Sequence, residues 1–140
     1  MQSLATCLMF VGDQCGKAEE AISFYVSLFE DSRVVDVERY SAADDEPEGN
    51  IKRARFSLRG REFIAMDSSA DHHFTFTPAV SIVATCDREE EVDELYGKLS
   101  DGGRVLMPLQ SYPFSARFAW VDDRFGVSWQ LNLEPVPVGA

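Results

Sequence analysis

Cysteine, histidine and basic residues are all scarce in this sequence, and each shortage removes a class of function. The three cysteines, Cys7, Cys15 and Cys86, are odd in number and include no Cys-x-x-Cys pair. That pattern fits a reducing compartment better than a disulfide framework, and a cytoplasmic setting is expected. The only two histidines, His72 and His73, are adjacent. Neighbours on an extended segment project to opposite sides and rarely ligate one ion together. Against 24 Asp and Glu stand 13 Lys and Arg, a formal net charge of -11. Such a surface repels nucleic acid and anionic membranes, so neither is expected as a partner, whereas a cationic ligand is compatible with it. No apolar run reaches the roughly 18 residues of a membrane span, and the start MQSLATCLMF has no basic flank before a long apolar core. A cofactor turn is missing as well. VGDQCGK holds two glycines in a strand-to-helix turn rather than a glycine-rich fingerprint within alternating parallel strands and helices.

What is present is a pattern that occurs twice. Leu4 to Val11 is strand-like, and GKAEEAISFYVSLFE then carries Ala18, Ala21, Ile22, Tyr25, Leu28 and Phe29 at helical spacing. Strands are expected over Arg33–Tyr40, Ile51–Leu58 and Arg61–Asp67, the last two joined by a hairpin turn at Arg59-Gly60. Between the first two, the acidic loop SAADDEPEGN is expected to be mobile. The order then restarts: a strand over Ala79–Cys86, Asp87 as N-cap with Glu90 in a capping box, and a helix carrying Val92, Leu95, Tyr96 and Leu99, which Gly102 ends. Strands follow at Val105–Leu106, Ser115–Val121 and Val127–Leu133. The texts AEEAISFYVSL and EEEVDELYGKL align in step. The expected architecture is α+β: one domain of two tandem βαβββ modules, residues 1–68 and 79–134, with a linker at 69–78 and a tail at 135–140. Their mixed, largely antiparallel sheets would form a cup with the helices on its outer face.

The residues LMFVGD with AEEAISFYVSLF, then HHFTFTPAVSIVATC, LSDGGRVLMPL and FAWVDDRFGVSWQLNL span nearly the whole chain. In them the sequence resembles the vicinal oxygen chelate superfamily of glyoxalases, bleomycin-resistance proteins and dioxygenases. More closely it resembles the PhnB-like branch described as 3-demethylubiquinone-9 3-methyltransferase. The resemblance implies a small-molecule site in the cup and a homodimer. It also implies a metal on the inner strands, yet the matching positions here are Thr6, Ile64 or Ala65, Val80 or Ser81, and Gln130. These are poor transition-metal ligands, so neither a metal site nor a cofactor is expected.

Along DRFGVSWQLNL the side chains alternate, with Val127, Trp129 and Leu131 on one side and Ser128, Gln130 and Asn132 on the other. The polar row is either solvated surface or a lining; in the cup geometry Gln130 lines it. The candidate ligand residues are Thr6, Phe10, Asp67, His73, Phe118, Trp120 and Gln130. No catalytic residue is assigned. Asp67 is read as a strand-end cap or a base, and His72 or His73 as linker or as an acid-base group over the cup mouth. Arg53, Arg55 and Arg117 are expected to pair across strands with Asp or Glu, an anionic group on a ligand being the alternative partner. The expected function is binding of a small organic molecule, aromatic or cationic, with a metal-dependent lyase, isomerase or dioxygenase and a methyltransferase as the alternatives.

Overall fold

A computed structural model describes residues 1–135; all but the first residue of the expected tail lies outside them. The chain divides into two units, Met1–Thr75 and Phe76–Ala140. The first contains β1 (Thr6–Phe10), a 3-10 turn at Gly12–Gln14, α1 (Ala18–Leu28), β2 (Arg33–Arg39), β3 (Ile51–Leu58) and β4 (Arg61–Asp67). The second contains β5 (Ser81–Cys86), α2 (Glu89–Ser100), β6 (Arg104–Tyr112), β7 (Ser115–Asp122) and β8 (Ser128–Leu133). Each unit is a four-stranded mixed sheet with one helix, ordered β1-β4-β3-β2 and β5-β8-β7-β6. In both, the first and last strands of the module pair in parallel and the remaining pairs are antiparallel. The fold class is α+β.

The helices cover one face of each sheet. In the first unit Leu8, Phe10, Ala54, Phe56 and Ala65 share a face by register and are buried, together with Ala18, Ala21, Ile22 and Tyr25 of α1. In the second, Trp129 and Leu131 stand opposite Val121 and Ala119 and are fully buried on the side of Val92, Leu95 and Leu99. Arg117, on that same side of β7, reaches over to Asp93 and Glu89 of α2. The alternation read in DRFGVSWQLNL therefore separates helix side from far side.

Turn chemistry accounts for several residues. Arg59 and Gly60 have φ of 53° and 83°, the pair of positive values that a two-residue type I′ hairpin turn requires. Asp123 organises the β7–β8 turn: one carboxylate oxygen accepts the N–H groups of Phe125 and Val127, and the other accepts the Trp129 indole N–H at 2.9 Å. Gly103 has no room for a side chain, since a Cβ there would lie 2.0 Å from the Asp122 carbonyl oxygen.

Two expectations are corrected. β6 runs Arg104–Tyr112, well past Leu106; Pro108 argues against a strand, but β6 is an edge, where a missing N–H breaks no ladder, and its register shifts around that proline. The N-cap of α2 is Arg88, with no side-chain cap, so Asp87 forms no capping box; the acids Glu89, Glu90 and Glu91 offset the helix dipole instead. The loop of residues 41–50, expected to be mobile, carries several side-chain contacts. Asp44 accepts the Ser41 N–H, Glu46 accepts the N–H and hydroxyl of Ser69, and Tyr40 donates to the Asp67 carbonyl.

Candidate functional site

The far face of the second sheet, turned away from α2, brings together Phe118, Trp120 and Gln130 of the sequence-derived candidates. Trp120 stands directly opposite Gln130, and Phe118 opposite Asn132. Polar contacts hold the two central side chains. The Trp120 indole N–H donates to Ser128 Oγ at 2.8 Å, and Gln130 Nε2 donates to Ser81 Oγ at 2.8 Å. Gln130 Oε1 has no hydrogen-bond partner among the described residues, which leaves it as an acceptor on this face. Phe118 is buried beneath an aromatic cluster: Tyr112 and Phe114 stack at 5.5 Å between centroids, and each meets Phe118 edge-on. Phe114 is 65% exposed and Val83, beside Gln130, 56%. An apolar rim with a few fixed polar groups can hold a planar organic molecule by stacking and orient it by one or two hydrogen bonds.

The other candidates lie in the first unit and do not share a face of this kind. Thr6 pairs with Phe63 and, like Phe10, falls on the side of β1 that carries the core; Phe10 is fully buried. The β1 residues on the far side are Cys7 and Met9, one position along, which is the consequence of a period of two. Asp67 is 1% exposed, and its carboxylate accepts three backbone N–H groups: Gly16 at 2.8 Å, Ala18 at 3.1 Å and Ile51 at 2.9 Å. It ties the start of α1 to the start of β3 through both of its oxygens. His73 is a linker residue in the left-handed region at φ 56°, its side chain 85% exposed and 3.5 Å from Asp71. His72 bonds instead to Ser68, Oγ to Nε2, at 2.7 Å. Sequence reading passed over Ser68; its spacing of four from His72 was the available signal.

On the far face of the first sheet a depression of about 470 Å³ is lined by Asp36, Val37, Glu38, Arg53 and Arg55. As expected, Arg55 pairs across the strand with Asp36, and Arg117 finds acids too, although on α2. The bond from Arg55 holds the Asp36 carboxyl below its ordinary range. The cysteines do not read as nucleophiles. Burial pushes the Cys86 thiol up to about 11, with Glu91 and Asp87 adding to the effect. Desolvation raises Cys7 despite the counter-effect of Arg53, and desolvation followed by Asp67 and Glu46 raises Cys15. Cys86 is a buried small hydrophobe as expected, whereas Cys7 is exposed.

Among the described residues no group of three or more His, Cys, Asp or Glu side chains is disposed around a metal position. The strand-to-helix turn before α1 does not fit an anionic cofactor either. Its N–H groups at Gly16 and Ala18 are taken by the Asp67 carboxylate, whose charge repels a second anion.

The sequence model of the family described as 3-demethylubiquinone-9 3-methyltransferase matches residues 2–132. Among solved structures, the PhnB protein from Bacillus cereus is 50% identical, with a TM-score of 0.89 over 95% of this chain and 100% of that one. Protein PA1353 from Pseudomonas aeruginosa is 26% identical, with a TM-score of 0.77 over 96% and 100%. A glyoxalase-related enzyme from Fulvimarina pelagi shares the fold at 20% identity, with a TM-score of 0.58 over 100% and 94%. No curated protein matches the chain.

Proposed function

Because the chain belongs to the 3-demethylubiquinone-9 3-methyltransferase family, the PhnB-like branch of the vicinal oxygen chelate superfamily, we propose that it binds a small planar organic molecule without a metal. The ligand rests on the far face of the second sheet. It stacks on Trp120 and the Phe114–Phe118 cluster and donates a hydrogen bond to Gln130 Oε1. The observation that carries this reading is the convergence of an indole and an amide, each held by its own hydroxyl partner, beside exposed apolar side chains. The net charge of -11 favours a cationic ligand over an anionic one. Methyl transfer, which the family description names, is the alternative reading.

The same reading includes a reducing, cytoplasmic setting, supported by three free thiols, and a homodimer. Support for the dimer comes from β2, an edge strand exposed at all seven positions with Val34, Val35 and Val37 among them. Such edges invite pairing with another chain.

Melting curves with the planar cations proflavine and 9-aminoacridine test the binding site. A ligand at 100 times its Kd stabilises the protein by about 2.7 kcal/mol. Trp120→Ala is expected to abolish the shift. Gln130→Ala should weaken binding about 2- to 10-fold, the worth of one net hydrogen bond. A panel of such cations that leaves the melting temperature unchanged overturns the reading. Native mass spectrometry of the protein as purified is expected to show a metal-free mass of twice the 15.7 kDa chain. One metal per chain would make the metal-dependent enzyme the better reading, and a single-chain mass in dilute solution would remove the dimer.

A further inference from the structure

The ligand face leaves one chemically capable pair unused, and it lies in the other unit. Ser68 Oγ and His72 Nε2 are 2.7 Å apart, the distance of a nucleophile and its general base. We propose that Ser68 and His72 form a nucleophile–base pair that takes acyl groups from small activated carboxylic esters.

The backbone around Ser68 is held on every side. Its own N–H donates to the Phe10 carbonyl at 3.0 Å. Asp67 before it is bound by three N–H groups, and Ser69 after it is bound through both N–H and hydroxyl to Glu46. The nucleophile thus stands on a rigid mount, the condition for an effective near-attack geometry. His72 is placed by packing: its ring lies 5.1 Å from that of Phe74. His73 takes a left-handed φ of 56°, an uncommon conformation for a non-glycine residue, immediately after the base. Both Ser68 and His72 are half-buried, so an ester can reach them. With the ring proton on Nδ1, which has no protein partner among the described residues, Nε2 is free to accept.

The step balances without a cofactor. Ser68 Oγ attacks the carbonyl carbon while its proton passes to His72 Nε2; the bond from carbon to the leaving oxygen breaks, and His72 returns the proton to that oxygen. Water, deprotonated by the same Nε2, then hydrolyses the acyl-serine. Among the described residues no carboxylate pairs with Nδ1, so the pair lacks the orienting third member of a triad and turnover is expected to be slow, with a burst of acylation.

The probe is p-nitrophenyl acetate, read by release of nitrophenolate and by peptide mapping. One acetyl group per chain on Ser68 is expected, and none at that peptide in Ser68→Ala. His72→Gln keeps an amide that can still hydrogen-bond Ser68 but is no base; it should slow the burst about 100-fold or more. In His72→Ala, added imidazole should recover part of the rate, which a merely structural histidine would not permit. Urea midpoints close to that of the unaltered protein establish that the variants fold. Acetyl groups found on lysines or the amino terminus alone, or a burst that Ser68→Ala or His72→Gln leaves intact, overturn the proposal.

Discussion

Asp67 in the first unit and Asp123 in the second are among the buried carboxylates, and both serve architecture. Each satisfies three N–H groups from elements that would otherwise end unpartnered. An amide in place of Asp67 offers a single acceptor oxygen and turns its own NH₂ toward backbone donors. Asp67→Asn is therefore expected to cost about 2–4 kcal/mol, seen as a lower urea midpoint at unchanged m-value. Asp123→Asn should cost a similar amount, with a change in the Trp129 fluorescence spectrum that Asp67→Asn does not produce. Equal stability of either variant would contradict these roles. Cys86 adds a pH dependence. Its thiol, ordinarily at 9.0, is raised to about 11, so across that window the native state keeps a proton that the unfolded chain has released. Its contribution is whole below pH 9 and is lost as pH climbs toward 11. Cys86→Ala should flatten that part of the alkaline fall in stability; an identical slope in the variant would count against it. In sequence Asp67 read as a cap or a base, and nothing local separated the two, because its donors sit 51, 49 and 16 residues away.

At the level of elements, turns and strand periods were legible because they are written locally. Arg59-Gly60 marks the β3–β4 hairpin, and the expected bounds of both strands match those observed. Arg59 nonetheless adopts a conformation that costs a non-glycine residue about 1 kcal/mol. Its ion pair with Asp31, at 3.7 Å between well-exposed groups, returns little. Arg59→Asn is expected to stabilise by about 0.5–1 kcal/mol, measured by denaturation; a loss of stability would show that the Asp31 contact matters more than the turn. Gly103→Ala should be among the most damaging single changes, since the added carbon meets the Asp122 backbone. Helix starts were less legible. In the first module Asp67 binds the start of α1 from β4, and the equivalent register position in the second module is Leu133. With no such carboxylate there, α2 begins without a side-chain cap, and the capping box suggested by Asp87 and Glu90 does not form.

Across the whole molecule the dominant property is charge. An excess of 11 acids repels itself, and the ion pairs that relieve it are mostly solvent-exposed. Raising ionic strength from about 0.01 M to about 0.15 M shortens the screening length from about 30 Å to about 8 Å. The melting temperature should rise with it, and a fall would mean that the exposed pairs outweigh the repulsion. The duplication was legible at this scale too, since two amphipathic helices with matching text, each preceded by one strand and followed by three, leave few alternatives to a repeated module.

By itself the sequence determined the element types and their order, the turns at Arg59-Gly60 and Asp123 to Gly126, and the duplicated α+β plan. It also decided which side of β8 faces a helix. These follow from local periodicity and from the φ values that particular residues tolerate. Only the tertiary structure decided what long-range pairing controls. It committed Asp67 to backbone donors, put Thr6 and Phe10 on the core side of β1, gathered Phe118, Trp120 and Gln130 on one face, and brought His72 onto Ser68. Those outcomes depend on register, where one residue exchanges the two faces of a strand, and on donors supplied by distant segments, which no local pattern encodes.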